Sequence, residues 1–235
     1  MSKDCFEFRQ FTIHQDRCAM KVGTDGTLLG AWASTGVADG RILDVGTGTG
    51  LIALMMAQRF PCCQVTAIDI DEAAVSQAQQ NVGESPFSDR IHVLQADVTT
   101  FNDTDGFDAI VSNPPYFHQS LECPDDRRTL ARHTSSLSYD RLMEAAWRLL
   151  RNDGVLSLII PDDCRARLEA EACLIGFFLT RLCAVRTTPK KEPKRYLMEF
   201  RKSPTNKLDK QEGVIEISPC VRSEWYQSLT QDFYL

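Results

Sequence analysis

The strongest constraint on the fold is a glycine-rich turn between an apolar strand and a helical run. RILDV (41–45) is a short apolar segment, and Gly46, Gly48 and Gly50 follow it directly. LIALMMAQRF (51–60) then repeats apolar residues at helical spacing. Glycines at such a turn let the backbone bend tightly and let a ligand contact the main chain. The G-x-G-x-G spacing differs from the dinucleotide fingerprint, and no Lys-Ser/Thr pair follows, which excludes a P-loop.

Strand-like and helix-like runs alternate along the rest of the chain. Further strands are predicted at residues 64–70, 91–96, 107–112, 155–160, 178–186, 195–201 and 214–217. Further helices are predicted at residues 71–82, 138–152 and 163–176. This alternation predicts an α/β protein whose mostly parallel sheet is covered by helices on both faces. Sheets of this kind bind ligands at the carboxyl ends of their strands.

The segments outside this alternation give no sign of a second domain. They predict a strand or hairpin at 7–15, a short helix at 27–33, a loop at 203–213 and a closing helix at 223–235. We therefore expect a single domain over residues 1–235. Within it, residues 1–40 form an N-terminal extension and residues 41–235 form the α/β core.

Composition excludes several classes of protein. The chain is 43% hydrophobic and 25% charged, which excludes disorder over its whole length. The longest uncharged apolar runs, 154–160 and 172–179, are too short to cross a bilayer, which takes roughly 20 residues. The N-terminus lacks the apolar run of a secretory signal. Nine cysteines without a C-x-x-C pair predict free thiols, no metal and a reducing, cytoplasmic location.

Three aspartates stand at the ends of predicted strands. Asp44 precedes the glycines, and a carboxylate there repels a pyrophosphate and attracts an ammonium group, which favours S-adenosylmethionine over a dinucleotide. Asp69, 19 residues after Gly50, can hold two ribose hydroxyls, although it and Asp71 also suit a helix N-cap. Asp97 can reach the adenine amino group of the cofactor, with capping or turn formation as the alternative.

The fourth motif, Asn113-Pro114-Pro115-Tyr116, follows the strand predicted at 107–112. Two prolines fix the loop and remove two N–H donors. The Asn113 side-chain oxygen and the Pro114 carbonyl are then aimed acceptors, and Tyr116 supplies an aromatic face beside them. Two acceptors next to a stacking ring suit a planar group that carries an NH₂. A rigid turn with a buried tyrosine is the alternative.

These motifs carry a resemblance to a known family. LDVGTGTG, AIDID, QADV and SNPPY together resemble a class I S-adenosylmethionine-dependent methyltransferase that acts on amino groups. FTIHQDRCAMKVGTDGTLLGAWA, the NPPYF loop with ARHTSSLS, and the terminal DFYL are similar to the bacterial tRNA1(Val) adenine-37 N6-methyltransferase family. The resemblance covers nearly the whole chain, strongest over 11–160 and weakest over 161–220. It implies a Rossmann-like fold with a seven-stranded sheet.

The family resemblance also implies a cofactor, a substrate and residue roles. The cofactor is S-adenosylmethionine without a metal, and the substrate is the adenine beside the anticodon in the stem-loop of a valine tRNA. The methionine end is expected on Asp44, Gly46, Gly48, Gly50, Lys21 and Thr24, the ribose on Asp69 and the adenine on Asp97. Further cofactor contacts are expected from Ile70, Val98 and Asn113. Asn113, Pro114, Pro115 and Tyr116 form the catalytic loop, and Phe117 helps to sandwich the base. Asp25 is alternatively the cap of the helix at 27–33.

Charge is distributed unevenly along the chain. The net charge of −6 argues against a general nucleic-acid binder. Residues 181–202, however, hold eight Lys or Arg against two Glu. The predicted RNA contacts are Lys190, Lys191, Lys194 and Arg195 with Arg186, and a second patch of Arg127, Arg128 and Arg132. The alternative is that both patches are solvated faces. The sequence leaves the oligomeric state open, with a monomer favoured.

Several functions remain compatible with the four motifs. Protein glutamine N5 and ribosomal RNA guanine N2 present an amide or amino NH₂ to the same acceptors. A nucleotide-binding oxidoreductase is disfavoured by Asp44, by the glycine spacing and by the Asn-Pro-Pro-Tyr motif. An RNA chaperone that binds the cofactor without catalysis has no need of that motif.

Overall fold

The structure, a computed structural model, describes residues 4–18, 21–115 and 137–235. The strands are β1 (Cys5–Glu7), β2 (Thr12–His14), β3 (Arg41–Val45), β4 (Gln64–Asp69), β5 (Ile91–Gln95), β6 (Phe107–Ser112), β7 (Leu150–Pro161), β8 (Phe178–Arg186), β9 (Arg195–Arg201), β10 (Asp209–Val214), β11 (Glu216–Ser218) and β12 (Val221–Arg222). The helices in these ranges are α1 (Thr24–Trp32), α2 (Leu51–Arg59), α3 (Glu72–Gly83), α4 (Tyr139–Leu149), α5 (Asp162–Ile175) and α6 (Glu224–Thr230). None of these helices is long and apolar enough to cross a membrane.

The central sheet has eight strands in the order β10-β8-β9-β7-β6-β3-β4-β5. Every neighbouring pair is parallel except the two pairs that contain β9, which runs antiparallel to β7 and β8. The predicted α/β class and the mostly parallel sheet are therefore confirmed. The prediction of seven strands is wrong, because β10 adds an eighth at the edge.

The additional strand β10 lies where the sequence predicts a loop, at residues 203–213. It pairs in parallel with β8, with Asp209 opposite Arg181 and Val214 opposite Arg186. An edge strand has one side open to solvent, and most side chains of DKQEGV are exposed, so the segment carries no apolar signal. The strand predicted at 214–217 corresponds instead to the end of β10 and the start of β11, which pairs with β12.

Helices cover both faces of the sheet, and successive residues of β3 show the two cores. Ile42 packs in the cluster that contains Leu54 of α2. Leu43 packs in the opposite cluster, which contains Leu142 of α4. A strand buried on both faces reads as a continuous apolar run, which explains why RILDV was recognisable from sequence.

The transition from α4 to β7 is sharper than the sequence predicts. The helix expected to reach residue 152 ends at Leu149, and β7 begins at the next residue. Leu150 already pairs with Phe107 of β6, so sheet pairing replaces the last predicted helical turn. Gly154 consequently lies within β7 rather than just after a helix.

The N-terminal segment folds back onto the α/β core. Of the strand or hairpin expected at 7–15, the structure shows a hairpin that starts earlier, with β1 and β2 paired antiparallel and Cys5 opposite His14. The Asn81 side chain accepts a hydrogen bond from the His14 N–H at 2.8 Å and donates to the His14 carbonyl at 2.9 Å. The same amide donates to the Thr49 carbonyl at 2.8 Å. One buried side chain of α3 thus fixes the hairpin beside the glycine turn.

Candidate active site

The order of the strands determines where a ligand fits. β3 lies between β6 and β4, so the chain winds outward from β3 in both directions. The carboxyl ends of strands separate at such a switch point and leave a crevice. A cavity of about 710 Å³ opens there. This volume lies within the range of small-molecule sites, roughly 300–1,000 Å³.

The glycine turn forms one wall of the cavity. Gly46 has φ 71° and Gly48 has φ 56°, values that favour glycine because a side chain is strained there. A Cβ atom built on either residue would meet nothing within 4 Å, so their main chain borders open space. Both line the cavity. Gly50 is the N-cap of α2 and is not among the described residues that line the cavity.

Asp44 is placed differently from its predicted contact with the cofactor. Its side chain is fully buried and does not line the cavity. One oxygen, Oδ2, accepts hydrogen bonds from the Thr47 hydroxyl at 2.6 Å and the Ala53 N–H at 3.1 Å, while Oδ1 has no hydrogen-bond partner. Burial raises the pKa of Asp44 to about 7, against the lowering effect of these two hydrogen bonds. The carboxyl group holds the glycine turn against α2.

Asp69 connects the end of β4 to the glycine turn. Its Oδ2 accepts a hydrogen bond from the Gly48 N–H at 2.9 Å, and its Oδ1 accepts one from the Asp71 N–H at 3.0 Å. Asp71 is the residue that caps α3, accepting from the Ala73 N–H at 3.0 Å. Asp69 and Asp71 both suit an N-cap from sequence, but the structure gives them different roles. Asp71 is the cap, and Asp69 is the carboxylate that bridges two walls of the cavity.

The wall next to β5 combines a carboxylate with apolar side chains. Asp97 accepts hydrogen bonds from the Thr99 N–H at 2.9 Å and the Thr99 hydroxyl at 2.7 Å, both on Oδ1. It therefore forms a turn, as the alternative interpretation held, and it also lines the cavity. Ile70 and Val98 line the same region, and Ile70 is 59% exposed. An exposed isoleucine beside a carboxylate suits a flat, partly polar ring.

The Asn-Pro-Pro segment leaves β6 at the same edge. The Ser112 hydroxyl donates to the Val45 carbonyl at 2.7 Å and ties the end of β6 to the end of β3. Asn113 and Pro115 line the cavity, while Pro114 is buried and is not among its described lining residues. The predicted contacts of Tyr116, Phe117, Arg127, Arg128 and Arg132 lie outside the described residues.

The N-terminal segment closes the opposite side. Lys21 and Thr24 line the cavity, as does Asp25. Helix α1 begins at Thr24 with Gly23 as its N-cap and no side-chain cap, so the prediction that Asp25 caps a helix at 27–33 is wrong. The Asp25 carboxylate instead lies 2.7 Å from Nε of Arg195.

The basic cluster predicted to bind RNA lies at this edge of the sheet. Arg195 pairs opposite Pro161, at the carboxyl end of β7. Lys190, Lys191 and Lys194 occupy the connection between β8 and β9 and are exposed. They do not line the cavity, and neither does Arg195. Arg186 at the end of β8 lies 3.9 Å from Glu212.

The cavity lining includes residues that the sequence motifs do not predict, and among them Arg141 carries a positive charge. Arg141, in the first turn of α4, lines the cavity together with Leu137, Asn113 and Pro115. The signal was available, because Ser138 suits an N-cap and the helix that returns to the sheet after the Asn-Pro-Pro loop must begin near that loop. Among the described residues no group of three or more His, Cys, Asp and Glu side chains is arranged to hold a metal ion.

Comparison with known proteins gives the family. A sequence model described as "Methyltransferase small domain" matches residues 23–174. A tRNA1(Val) (adenine(37)-N6)-methyltransferase from Bacteroides thetaiotaomicron is 47% identical over 236 residues, covering 100% of this chain and 99% of the relative. Its namesake from Phocaeicola vulgatus is 49% identical over 235 residues, covering 100% and 99%.

Solved structures give the fold independently. The crystal structure of a predicted O-methyltransferase from Agrobacterium tumefaciens superimposes with a TM-score of 0.70 at 22% identity, covering 89% of this chain and 96% of that one. This likeness confirms a Rossmann-like methyltransferase fold. The chain belongs to the methyltransferase small-domain family and, within it, to the tRNA1(Val) (adenine(37)-N6)-methyltransferase family.

Proposed function

We propose that this protein transfers the methyl group of S-adenosylmethionine to N6 of the adenine at position 37 in tRNA1(Val), in the cytoplasm. The observation that carries the proposal is a shared cavity. Asn113 and Pro115 border the same space as Gly46, Gly48 and Asp69. Asn113, one of the two proposed acceptors for an NH₂ group, therefore borders the same space as the walls suited to the methyl donor. Relatives matched over the full length carry the same activity in their names.

The cavity walls fit S-adenosylmethionine. The open space beside Gly46 and Gly48 admits the methionine portion against bare main chain. Asp69 and Asp97 both line the cavity, and we assign Asp69 to the ribose hydroxyls and Asp97 to the adenine amino group. Lys21 and Thr24, which belong to the proposed closing extension at 1–40, would meet the methionine end. Asp44 would act indirectly, by holding the turn through Thr47 and Ala53.

The chemistry assigns specific work to the catalytic loop. S-adenosylmethionine supplies an electrophilic methyl group on a sulfonium. Adenine N6 is a poor nucleophile because its lone pair is delocalised into the ring. Hydrogen bonds from its two N–H groups to the Asn113 side-chain oxygen and the Pro114 carbonyl favour a pyramidal nitrogen whose lone pair faces the methyl carbon. In-line positioning of this kind contributes roughly 7–11 kcal/mol in favourable cases.

The loop does not act as a general base. An asparagine amide accepts hydrogen bonds but takes up no proton near neutral pH. The N6 proton therefore leaves to water after the transfer. The buried Asp44 carboxyl group does not line the cavity, so it is not placed to accept that proton.

The target base has to leave its stack in the anticodon loop to enter the cavity. We propose that Tyr116 and Phe117 sandwich it. Stacking on an aromatic side chain contributes about 1–3 kcal/mol per base. Lys190, Lys191 and Lys194 would bind the tRNA backbone beside the cavity, and Arg127, Arg128 and Arg132 would form a second contact.

Comparison of three possible substrates tests the proposal. The purified protein is incubated with methyl-labelled S-adenosylmethionine and, separately, with total tRNA, ribosomal subunits and peptide-chain release factors from cells that lack the protein. We expect label in the tRNA, and its nucleosides should contain N6-methyladenosine. Label in ribosomal guanine N2 or in a release-factor glutamine would instead identify a different amino-directed methyltransferase. Tight cofactor binding without transfer to any fraction would contradict an enzymatic function.

A further inference from the structure

Arg141 occupies a place in the cavity that the roles above leave unassigned. It lies in the first turn of α4 and borders the cavity beside Asn113 and Pro115. Lys21 is the only other Lys or Arg among the described lining residues, and it comes from the N-terminal segment. Arg141 therefore adds a positive charge to the cavity that also contains Asn113, the proposed acceptor for the target base.

The charge of Arg141 is not neutralised within the described part of the chain. Its side chain is exposed and makes no ion pair or hydrogen bond there, whereas Arg195 pairs with Asp25 and Arg165 with Glu169. The pKa of the neighbouring Asp140 carboxyl is lowered chiefly by the Ser138 side chain, and no ion pair joins Asp140 to Arg141 in the described part of the chain.

A second arginine of α4 shows what a structural role looks like. Arg148 donates hydrogen bonds to the carbonyls of Phe101 at 2.5 Å, Val98 at 3.1 Å and Thr99 at 3.2 Å. It thereby clamps the connection between β5 and β6 onto the helix. Arg141 has no comparable set of acceptors among the residues that the structure describes, which favours a ligand as its partner.

Two carboxylates that line the cavity, Asp69 and Asp97, come from the part of the sheet away from α4. Asp69 ends β4 and Asp97 follows β5, and both strands lie on the far side of β3 from β6, whereas Arg141 belongs to the helix between β6 and β7 in the chain. A nucleotide whose base reaches Asn113 brings its phosphates to the β6 side. The planar guanidinium presents a fork of donors that matches a phosphate in two parallel hydrogen bonds.

We infer that Arg141 binds a backbone phosphate adjoining the adenine that enters the cavity. This inference rests on the proposed function and names one contact within it. Arg141 is thus a positioning residue for the nucleotide, distinct from the exposed lysines between β8 and β9. The protein would then hold the target nucleotide at two points, the base at Asn113 and a backbone phosphate at Arg141.

Kinetics over a range of salt concentrations test the role of Arg141. Arg141→Ala should raise KM for tRNA about tenfold and reduce the slope of log affinity against log salt by about 1. The dissociation constant for S-adenosylhomocysteine should stay within about twofold in calorimetry. Arg141→Lys should restore the salt slope but only part of the affinity, because an ammonium lacks the planar fork. Lys207→Ala removes one exposed charge at the opposite edge of the sheet and serves as the matched control.

Two results in that experiment would overturn the inference. An unchanged KM and salt slope in Arg141→Ala would leave the phosphate contact without support. A large rise in the dissociation constant for S-adenosylhomocysteine would assign Arg141 to the cofactor carboxylate instead.

A binding measurement separates this inference from the proposed function. Adenosine 3′,5′-bisphosphate and adenosine are titrated into protein saturated with S-adenosylhomocysteine. Wild-type protein should bind the bisphosphate more tightly, and Arg141→Ala should lose that preference. A preference without any tRNA methylation would retain the phosphate site and reject the tRNA substrate. If the protein methylates tRNA but binds adenosine 3′,5′-bisphosphate no more tightly than adenosine, the tRNA substrate is retained and the phosphate site is rejected.

Discussion

Nε of Arg195 lies 2.7 Å from the Asp25 carboxylate and joins two segments 170 residues apart in the chain. Arg195 begins β9, and Asp25 is in the first turn of α1. The pair therefore connects the end of the sheet that carries the basic cluster to the N-terminal segment that closes the cavity. Arg195 is 33% exposed and Asp25 22%, so solvent screens the pair only in part.

Breaking this pair should loosen the closing segment. Arg195→Ala and Asp25→Ala are each expected to raise the dissociation constant for S-adenosylhomocysteine a few-fold, and the double variant no more than the larger single one. The coupling should amount to about 0.5–1 kcal/mol, the usual range for a partly exposed pair. Calorimetry on the four proteins measures it. Arg165→Ala breaks another 2.7 Å pair, between two residues that do not line the cavity, and should leave binding unchanged. Strictly additive effects would contradict the connection.

Two acids that lie two residues apart should give different outcomes. Asp69→Ala removes the proposed ribose acceptor and should weaken S-adenosylhomocysteine binding about 10- to 100-fold, since a hydrogen bond to a charged group contributes about 1.5–3 kcal/mol. Asp71→Ala removes the cap of α3 and should lower the free energy of unfolding by about 1 kcal/mol. Its effect on binding should be small. Calorimetry and urea unfolding of both variants separate the roles, and equal losses of binding would not fit.

Asn113→Ala should affect turnover far more than cofactor binding. Loss of one aimed polar group in an active site typically lowers kcat by about 10²–10³. We expect a loss of that size in single-turnover methylation of tRNA, with the dissociation constant for S-adenosylhomocysteine within about twofold of wild type. A parallel decline of rate and cofactor affinity would remove Asn113 from the chemical step.

Burial of Asp44 should make stability depend on pH. Its pKa is raised to about 7 from the ordinary value of 3.8, so between these pH values the folded state holds a proton that the unfolded state has lost. Stability is then highest at the acidic end and falls as the pH rises towards 7, by up to about 1.4 kcal/mol per pH unit from this group. Asp44→Asn should remove that dependence. Urea unfolding from pH 4.5 to 7.5 tests it, and parallel profiles would show that Asp44 ionises normally.

The exposed lysines between β8 and β9 should act on tRNA alone. Lys190→Ala combined with Lys191→Ala should weaken tRNA binding and reduce the salt slope by about 2, one for each lost phosphate contact. Cofactor binding should not change, because neither side chain lines the cavity. Filter binding at several salt concentrations, with Lys207→Ala as the control, measures the effect. An unaltered slope would identify the cluster as a solvated face.

The parts of the fold that sequence could predict are those with a strong local signal. The apolar strand before Gly46 and the acids at strand ends are local patterns, and parallel strands bring their carboxyl ends to one edge. β10 was missed because an edge strand of charged residues has no apolar alternation. The end of α4 was misplaced because pairing of Leu150 with Phe107 overrides the helical pattern.

Some residues of the site could also be predicted from local sequence, and others could not. Asp69, Asp97 and Asn113 reach the cavity because each lies at or just beyond the carboxyl end of a strand. The position of Asp44 could not be predicted, because its carboxylate turns toward Thr47 and the N-terminus of α2 instead of the ligand space. The partner of Asp25 is set by tertiary structure alone, since nothing local to residue 25 points to Arg195.

Two tRNA1(Val) transcripts that differ only at position 37 test the proposed reaction at its target atom. The purified protein is given methyl-labelled S-adenosylmethionine with a transcript carrying adenine or guanine at that position, and the digested nucleosides are identified by mass spectrometry. We predict label in N6-methyladenosine with the adenine transcript and none with the guanine transcript. Equal label in both transcripts, or label in any other nucleoside, would contradict methylation of adenine 37.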